Sequence, residues 1–201
     1  VINFYAEAFG VKRVVLPRVL TVDEIAAINR EIDVETEVFV FGGLCVMAEG
    51  SCSLSSYVTG LSPNMNGVCS PPSHVAYRKE GSAIVSRLGR FTINRFGPDE
   101  AAAYPTLCKG RFRTEFSTGY IFENPSSLGA TELLAALRDA RVTGLKIEGR
   151  QRGRAYVEQV VRSFREALTA LDAGRQIDLP ELDAVTEGHR TTAGAYNKKW
   201  R

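Results

Sequence analysis

The sequence predicts an α/β fold: parallel βα units that form the C-terminal half of a TIM-like barrel, interrupted by a long loop-rich insertion that contains the cysteines. Helical and strand-like patterns alternate with short connections at both ends of the chain, which is typical of parallel sheets covered by helices. Between them, residues 43–119 are rich in Gly, Ser, Pro and Asn, contain all four cysteines and include one predicted strand, Phe91–Phe96. The 201 residues are 44% hydrophobic and 24% charged, which is the composition of a globular protein with a sizeable core.

Residues 1–42 are predicted to form the first βα units. The predicted elements are a helix over residues 3–9, a buried strand over residues 11–16, a helix from Thr21 to about Glu31, and a strand over residues 38–41. Gly10 is typical of a helix C-terminus, and Pro17 ends the strand before it. Thr21 followed by Glu24 is the capping-box pattern that opens a helix.

Residues 120–174 return to the alternation of strands and helices. The predicted elements are a strand over residues 120–122, a helix capped by Thr131, a strand over residues 145–147, and a helix that ends at Gly174 and whose apolar face is Val157, Val160, Val161, Phe164, Leu168 and Leu171. Those apolar positions recur with the helical period. Four such strands make half of a (β/α)₈ barrel, so residues 1–201 are predicted to be one partial domain that begins mid-barrel. No structure is predicted for the tail, residues 175–201.

Four cysteines, Cys45, Cys52, Cys69 and Cys108, have 6, 16 and 38 residues between them. Their small and turn-forming neighbours give the backbone freedom that converging ligands need. Ligation by thiolates alone is typical of a [4Fe-4S] cluster or a structural zinc ion. Zinc ligands usually occur in closely spaced cysteine pairs, which this sequence lacks. The wide spacing favours iron and sulfur, while zinc and unliganded core thiols remain the alternatives.

Lys146, Glu148 and Arg150 are candidate substrate-binding residues because they end a predicted parallel strand. Barrel enzymes place their reacting groups at the C-terminal ends of strands. Alternation along the strand puts Lys146 and Glu148 on one side, and Arg150 is suited to hold an anion. The alternative is a structural ion pair together with charges at a helix start.

No catalytic residue is predicted. His74 and His189 are the only histidines, and no nucleophile elbow, P-loop or His-Glu-x-x-His motif occurs. Lys109 and Arg111 lie beside the fourth cysteine. Their positive charges would offset the negative charge of iron bound by thiolates.

The overall charge argues against a protein that coats nucleic acid. Lys and Arg number 25 and Asp and Glu 23, for a net charge of +2, so affinity for phosphates would need a local patch. Residues 138–165, with eight basic and three acidic side chains, and the tail Lys198–Arg201 are the candidates for such a patch. No apolar run approaches the ~18 residues of a membrane span, and the start does not resemble a signal peptide. We expect a cytoplasmic protein.

Segments around the first three cysteines resemble the signature of peptidase family U32. They are Glu37–Cys45, Glu49–Tyr57, Ser62–Asn64 and Gly67–Pro71. Similarity continues through Tyr104–Arg111, Lys146–Arg152 and Gly194–Tyr196, with Lys199 and Trp200, and so covers nearly the whole chain. These later motifs are similar to the branch of the family that takes part in ubiquinone biosynthesis.

The resemblance implies a subunit of an oxygen-independent hydroxylase rather than a peptidase. Members of this branch act in anaerobic ubiquinone biosynthesis as a heterodimer with a UbiV-like protein, and each partner holds a [4Fe-4S] cluster on four cysteines. The corresponding ligands here are Cys45, Cys52, Cys69 and Cys108.

The resemblance also implies the substrates. They are a ubiquinone precursor and prephenate as oxygen donor, the latter held by a basic site near Arg150. Related members hydroxylate RNA bases, which is the alternative function. Because members of this branch are longer, the chain is expected to be inactive alone.

Overall fold

The computed structural model describes residues 1–47, 51–150, 152–175 and 179–198. The chain divides into two compact units. Unit 1 combines Val1–Gly43 with Ser126–Arg201, and unit 2 is the single segment Leu44–Pro125, which contains all four cysteines. The sheets of the described residues each lie within one unit.

The described residues form the following helices and strands. The α-helices are α1 (Ile2–Phe9), α2 (Val22–Arg30), α3 (Ser53–Thr59), α4 (Pro63–Asn66), α5 (Leu134–Asp139) and α6 (Arg154–Asp172). The strands are β1 (Arg13–Val15), β2 (Glu35–Gly43), β3 (Val75–Glu80), β4 (Ala83–Leu88), β5 (Phe91–Phe96), β6 (Arg111–Arg113), β7 (Thr118–Tyr120), β8 (Ser127–Gly129), β9 (Gly144–Ile147) and β10 (Thr191–Thr192). None of the described helices combines the length and the apolar character that crossing a membrane requires.

The sheet of unit 1 is mixed and open. β2 pairs in parallel with β1 and β9 and antiparallel with β8, which pairs in parallel with β10. The parallel β1–α2–β2 unit confirms the predicted α/β class. The half-barrel stays a prediction, because the described strands form an open sheet that also contains an antiparallel pair.

β2 forms the centre of the core of unit 1. Its residues Val38, Phe39, Val40 and Phe41 are all buried, as expected for a parallel strand that is covered on both faces. The Phe41 ring packs against Phe164 of α6 with 5.9 Å between the ring centroids. This contact holds α6 against the strand that ends near the candidate substrate residues.

The buried face of α6 differs from the predicted one. Val160 and Phe164 are buried as predicted, but Val157 and Val161 are 40% and 44% exposed. The other buried positions of the helix are Ser163, Ala167 and Ala170. Small side chains let a helix approach its neighbours closely, which the pattern of large apolar residues does not reveal.

The N-terminal elements follow the predicted ends but not the predicted burial. α1 ends at Gly10, whose φ of 66° is left-handed, and α2 has the predicted capping box between Thr21 and Glu24. The prediction of a buried β1 is wrong. Val15 is exposed, and among the predicted residues 11–16 only Leu16, which follows β1, is buried.

Unit 2 contains more regular structure than the sequence predicts. β3, β4 and β5 form an antiparallel sheet, so the prediction of a loop-rich insertion is wrong for residues 75–88. The predicted strand Phe91–Phe96 is confirmed. The sheet packs around Val58, Leu88 and Ile93. The sequence does not predict β3, because nearly all of its residues are exposed and it has no apolar run.

Two further predictions of local structure are wrong. The aromatic segment at Tyr120 belongs to β7, which forms a hairpin with β6 in unit 2 and is not a strand of the parallel set. Thr131 is not a helix cap: it lies in a short 3₁₀ turn, and α5 begins at Leu134. Both predictions used local sequence patterns, whereas the structure of each of these segments depends on what the segment packs against.

The tail, for which no structure is predicted, contributes to unit 1. Its described part contains β10 and 3₁₀ turns. Tyr196 is 6% exposed, and its hydroxyl donates a hydrogen bond to the carbonyl of Phe39. The tail therefore covers part of the central strand.

Candidate metal centre and strand-end site

The four cysteines are free thiols at turns and helix ends of unit 2. Cys45 is exposed and follows β2, and Cys52 is the N-cap of α3. Cys69 is partly buried. Cys108 lies in the 3₁₀ turn Leu107–Lys109 and is 9% exposed. The four cysteines thus lie outside the strands and the α-helices of unit 2.

Ser55 connects the second and third cysteines. Its backbone N–H donates to the sulfur of Cys52 at 3.3 Å, and its hydroxyl donates to the carbonyl of Cys69 at 2.5 Å. Ser55 is itself buried.

The thiols interact electrostatically. Burial raises the pKa of the Cys108 thiol to about 12, the charge of Lys109 acts in the opposite direction, and the other three thiols raise it further. Burial also raises the pKa of Cys69, opposed by a hydrogen bond with Ser70 and reinforced by Cys52 and Cys45. Cys108 is therefore within electrostatic reach of the other three sulfurs, and Cys69 is within reach of Cys45 and Cys52. A metal bound among them would reverse this effect, since a coordinating thiol loses its proton.

The chemistry of the donor set fits an all-thiolate cluster. Four soft sulfur donors in one unit match the ligands of a [4Fe-4S] cluster. Among the residues that the structure describes, no three or more His, Cys, Asp or Glu side chains surround a position for one metal ion. Ligands of a cube bind different irons, so they stand farther apart than the ligands of a single ion. Cys45, Cys52, Cys69 and Cys108 are the residues that would hold such a group.

The two cations beside Cys108 have different surroundings. Arg111 pairs with Glu100 at 2.5 Å and donates to the hydroxyl of Tyr120 at 3.2 Å. The hydrogen bond from Arg111 holds the pKa of the Glu100 carboxyl below its usual value. Of the two cations, Lys109 is the one whose charge acts on the Cys108 thiol.

Lys146, a predicted substrate-binding residue, is held in an ion pair with Glu37 of β2. Its Nζ lies 3.0 Å from Oε1 of Glu37, and Glu37 also lies 3.6 Å from Arg13. The ammonium group is 5.7 Å from the centroid of the Phe39 ring. This arrangement favours the structural ion pair that the sequence left open as the alternative.

Glu148, the second predicted residue, uses its carboxylate to tie backbone segments together. One oxygen accepts the N–H of Gly43 at 3.3 Å, and the other accepts the N–H of Arg150 at 2.7 Å. The backbone of β2 therefore ends against Glu148. Arg150, the third predicted residue, is exposed, and its side chain remains the candidate for an anion.

Sequence reasoning missed Arg18 and Glu187. The guanidinium of Arg18 lies 3.8 Å from the centroid of the Phe39 ring and donates to the carbonyl of Gly43. Glu187 pairs with Arg152 at 2.8 Å. Arg18 follows the end of a predicted parallel strand, and that position is a signal that could have found it. Glu187 has no such signal.

Some predicted features lie outside the described residues. They are the side chains of Asn64, His189 and Ala195, the tail residues Lys199–Arg201, and Glu49, Gly50 and Gln151 of the quoted motifs. His74 is described: its Nδ1 lies 3.0 Å from the hydroxyl of its neighbour Ser73. The two are consecutive residues at an exposed turn, so this contact is local.

Comparison with known proteins places the chain in a family. The family model described as peptidase family U32 matches residues 1–199. The tRNA hydroxylation protein P of Haemophilus influenzae is 29% identical over 199 residues, which cover 88% of this chain and 43% of that protein. The 23S rRNA 5-hydroxycytidine C2501 synthase of Escherichia coli is 29% identical over 163 residues, which cover 81% of this chain and 20% of that protein. No solved structure matches.

A relative with a different kind of name is the collagenase of Porphyromonas gingivalis. It is 28% identical over 180 residues, which cover 84% of this chain and 36% of that protein. The chain thus spans less than half the length of these curated relatives. Their names divide between hydroxylation and proteolysis, but one family model covers nearly every residue, and the chain belongs to peptidase family U32.

Proposed function

We propose that this chain is part of an oxygen-independent hydroxylase in which Cys45, Cys52, Cys69 and Cys108 hold a [4Fe-4S] cluster. The observation that carries the proposal is the presence in one unit of four free thiols, with Cys108 within electrostatic reach of the other three. Relatives named for RNA hydroxylation support the type of reaction. The activity is proposed for the whole protein, since the chain matches less than half of those relatives.

When bound, such a cluster transfers single electrons. Residues of unit 2 determine its surroundings. The burial of Cys108 limits the access of water to that ligand. The N–H of Ser55 and the charge of Lys109 both stabilise negative charge on sulfur, and such contacts raise the reduction potential of a cluster.

The leading substrate is the aromatic ring of a ubiquinone precursor, with a UbiV-like protein as the partner in a heterodimer. The similarity of Tyr104–Arg111 and Lys146–Arg152 to the ubiquinone-biosynthesis protein UbiU supports this choice. Hydroxylation converts a ring C–H into C–OH and oxidises the ring by two electrons. The proposed donor, prephenate, gives up its hydroxyl oxygen and is reduced by the same two electrons. Arg150, exposed after β9, is the side chain proposed to meet its carboxylates.

An RNA base is the second candidate substrate, favoured by the names of two relatives. The basic segment 138–165 would be its contact. Three of its arginines are paired with carboxylates: Arg138 with Asp139, Arg152 with Glu187, and Arg162 with Glu158. These pairs reduce the charge available for phosphates, so RNA ranks second. Peptidase activity, suggested by the family name, ranks below both.

The cluster is tested by purifying the full-length protein without oxygen. We expect about four irons and four acid-labile sulfides per chain and a broad absorbance at about 400 nm. Cys69→Ala removes one thiolate, so its iron content should fall well below that of the wild type. Ser53→Ala, an exposed neighbour of Cys52, is the matched control and should keep the iron. A colourless protein with one zinc ion would contradict the proposal.

The substrate is tested in cells grown without oxygen. Cells that lack the protein should accumulate a ubiquinone precursor that is one oxygen atom short, and mass spectrometry of their RNA nucleosides should be unchanged. Cys69→Ala should fail to restore ubiquinone, whereas Ser53→Ala should restore it. Loss of a hydroxylated nucleoside with normal ubiquinone would instead establish the RNA candidate.

A further inference from the structure

Asn94 is a buried polar residue of unit 2 whose side chain is directed at another segment. It lies on β5 and is 6% exposed. The pairing of β4 with β5 shifts register between Ser86 and Arg87, so Ile93 is an extra residue beside Asn94. A bulge of this kind re-aims the side chains around it. Ile93 and Asn94 are consecutive, yet both are buried.

Both ends of the Asn94 amide bind backbone next to Cys108. Its Nδ2 donates to the carbonyl of Lys109 at 3.3 Å, and its Oδ1 accepts the N–H of Arg111 at 2.8 Å. The amide thereby bridges the two residues that flank Gly110. Removing it would leave these backbone groups without that partner in a partly buried site, which costs more than a hydrogen bond at the surface.

Gly110 allows the turn to approach β5 closely. A Cβ at this position would lie 3.2 Å from the carbonyl oxygen of Ile93 and 3.1 Å from that of Leu107. Leu107 in turn packs against the apolar cluster that contains Ile93. The turn is therefore fixed to β5 on both sides of Cys108, by apolar contact before the thiol and by Asn94 after it.

We infer that Asn94 is a positioning residue that holds Cys108 in place as the fourth ligand, an inference that rests on the proposed cluster. Cys108 is separated from Cys69 by 38 residues, whereas the first three cysteines are closer together in the sequence. Ordering a long segment costs conformational entropy, which contacts of its far end must offset. Asn94 supplies such a contact and acts through the backbone of the turn rather than by touching the cluster.

The test uses the full-length protein, iron-free and reduced, and measures the alkylation rate of each cysteine by mass spectrometry. Asn94→Ala removes both hydrogen bonds, so Cys108 should react about tenfold faster through local opening of its turn. Asn94→Ser keeps a hydroxyl that can replace at most one of the two hydrogen bonds, so it should give a smaller increase, and it serves if the alanine variant does not fold. Asn29→Ala is the control, because Asn29 is a buried amide of unit 1 that donates to the carbonyl of Ala140 at 2.7 Å.

The expected result is faster alkylation of Cys108 alone, together with less iron per chain after anaerobic reconstitution of either Asn94 variant. An equal rise in the reactivity of Cys52, Cys69 and Cys108 in both Asn94 variants would show a general loss of structure and would overturn the inference. Unchanged reactivity of Cys108 in both variants, or an equal effect of Asn29→Ala, would also overturn it. Failure of the wild type to take up iron and sulfide would instead remove the proposed cluster, so the two failures are distinguishable.

Discussion

At the scale of single residues, Gly42 determines how β2 ends. Its φ of 119° lies in the left-handed range, and a Cβ would lie 2.6 Å from Cβ of Glu148 and 2.7 Å from the Glu148 carbonyl oxygen. The obstructing atoms belong to backbone or to the base of a side chain, so they cannot rotate away. The next residue, Gly43, donates its N–H to the Glu148 carboxylate. A side chain at position 42 would therefore separate two strand ends.

Gly42→Ala should lower the free energy of unfolding by about 3 kcal/mol or more, because it adds a steric clash to an unfavourable φ. Gly119→Ala is the matched control: its Cβ would meet no atom within 4 Å, and its effect should stay within about 0.5 kcal/mol. Urea-induced unfolding of the three proteins measures both changes. Equal stabilities of the two variants would contradict the role given to Gly42.

Tyr196 makes the stability of unit 1 depend on pH in the alkaline range. Burial raises the pKa of its hydroxyl from 10.0 to about 12, with the charge of Arg18 acting in the opposite direction. The folded state therefore keeps a proton that the unfolded state releases above its own pKa. This stabilisation is fully present below pH 10 and is lost as the pH rises towards 12.

Tyr196→Phe should cost about 1 kcal/mol at pH 7, because the carbonyl of Phe39 loses its donor. Between pH 10 and 12 the wild type should lose about 2 to 3 kcal/mol that the variant retains, so the order of their stabilities should reverse. Urea-induced unfolding at pH 7, 9, 10, 11 and 12 measures the difference, and the other tyrosines cancel in it. A difference that does not change with pH would contradict this account.

At the scale of the element, α2 owes its start to a pair of reciprocal hydrogen bonds. The hydroxyl of Thr21 accepts the N–H of Glu24 at 3.2 Å, and the Glu24 carboxylate accepts the N–H of Thr21 at 2.9 Å. Thr21→Ala should lower the free energy of unfolding by about 1 kcal/mol. Thr21→Ser keeps the hydroxyl and should retain most of the stability. If serine were as destabilising as alanine in urea-induced unfolding, the lost methyl group rather than the cap would be the cause.

Elements were predictable where a short sequence decides them. Gly10 and the Thr21–Glu24 pair mark helix ends through local hydrogen bonds and backbone freedom, and Phe91–Phe96 has a strand composition of its own. Thr131 has the residue type of a cap, but the chain forms a 3₁₀ turn there. β3 is stabilised by pairing with β4 rather than by its own apolar residues. Such pairing is a property of two segments, which neither sequence shows alone.

At the scale of the whole molecule, the candidate site was predictable only in part. Cysteine spacing left a cluster, zinc and core thiols open, and the resemblance to U32 proteins favoured the cluster. The structure adds the electrostatic interaction among the thiols and the contacts of Ser55. Asn94 could not be predicted, because a bulge in β5 brings it to a turn that lies 15 residues further along the chain.

The chain leaves the sheet of unit 1 after β2 and returns to it at β8, at neighbouring positions. Gly43, the last residue of β2, is paired with Ser127 of antiparallel β8, so both junctions of the cysteine-bearing segment are neighbours. In the gene, the segment is one continuous stretch of codons. Deleting Leu44–Pro125 and joining the strands through a short turn would leave β2 and β8 as an ordinary hairpin. We therefore expect a gene that lacks this segment to encode a chain that still forms the sheet of unit 1.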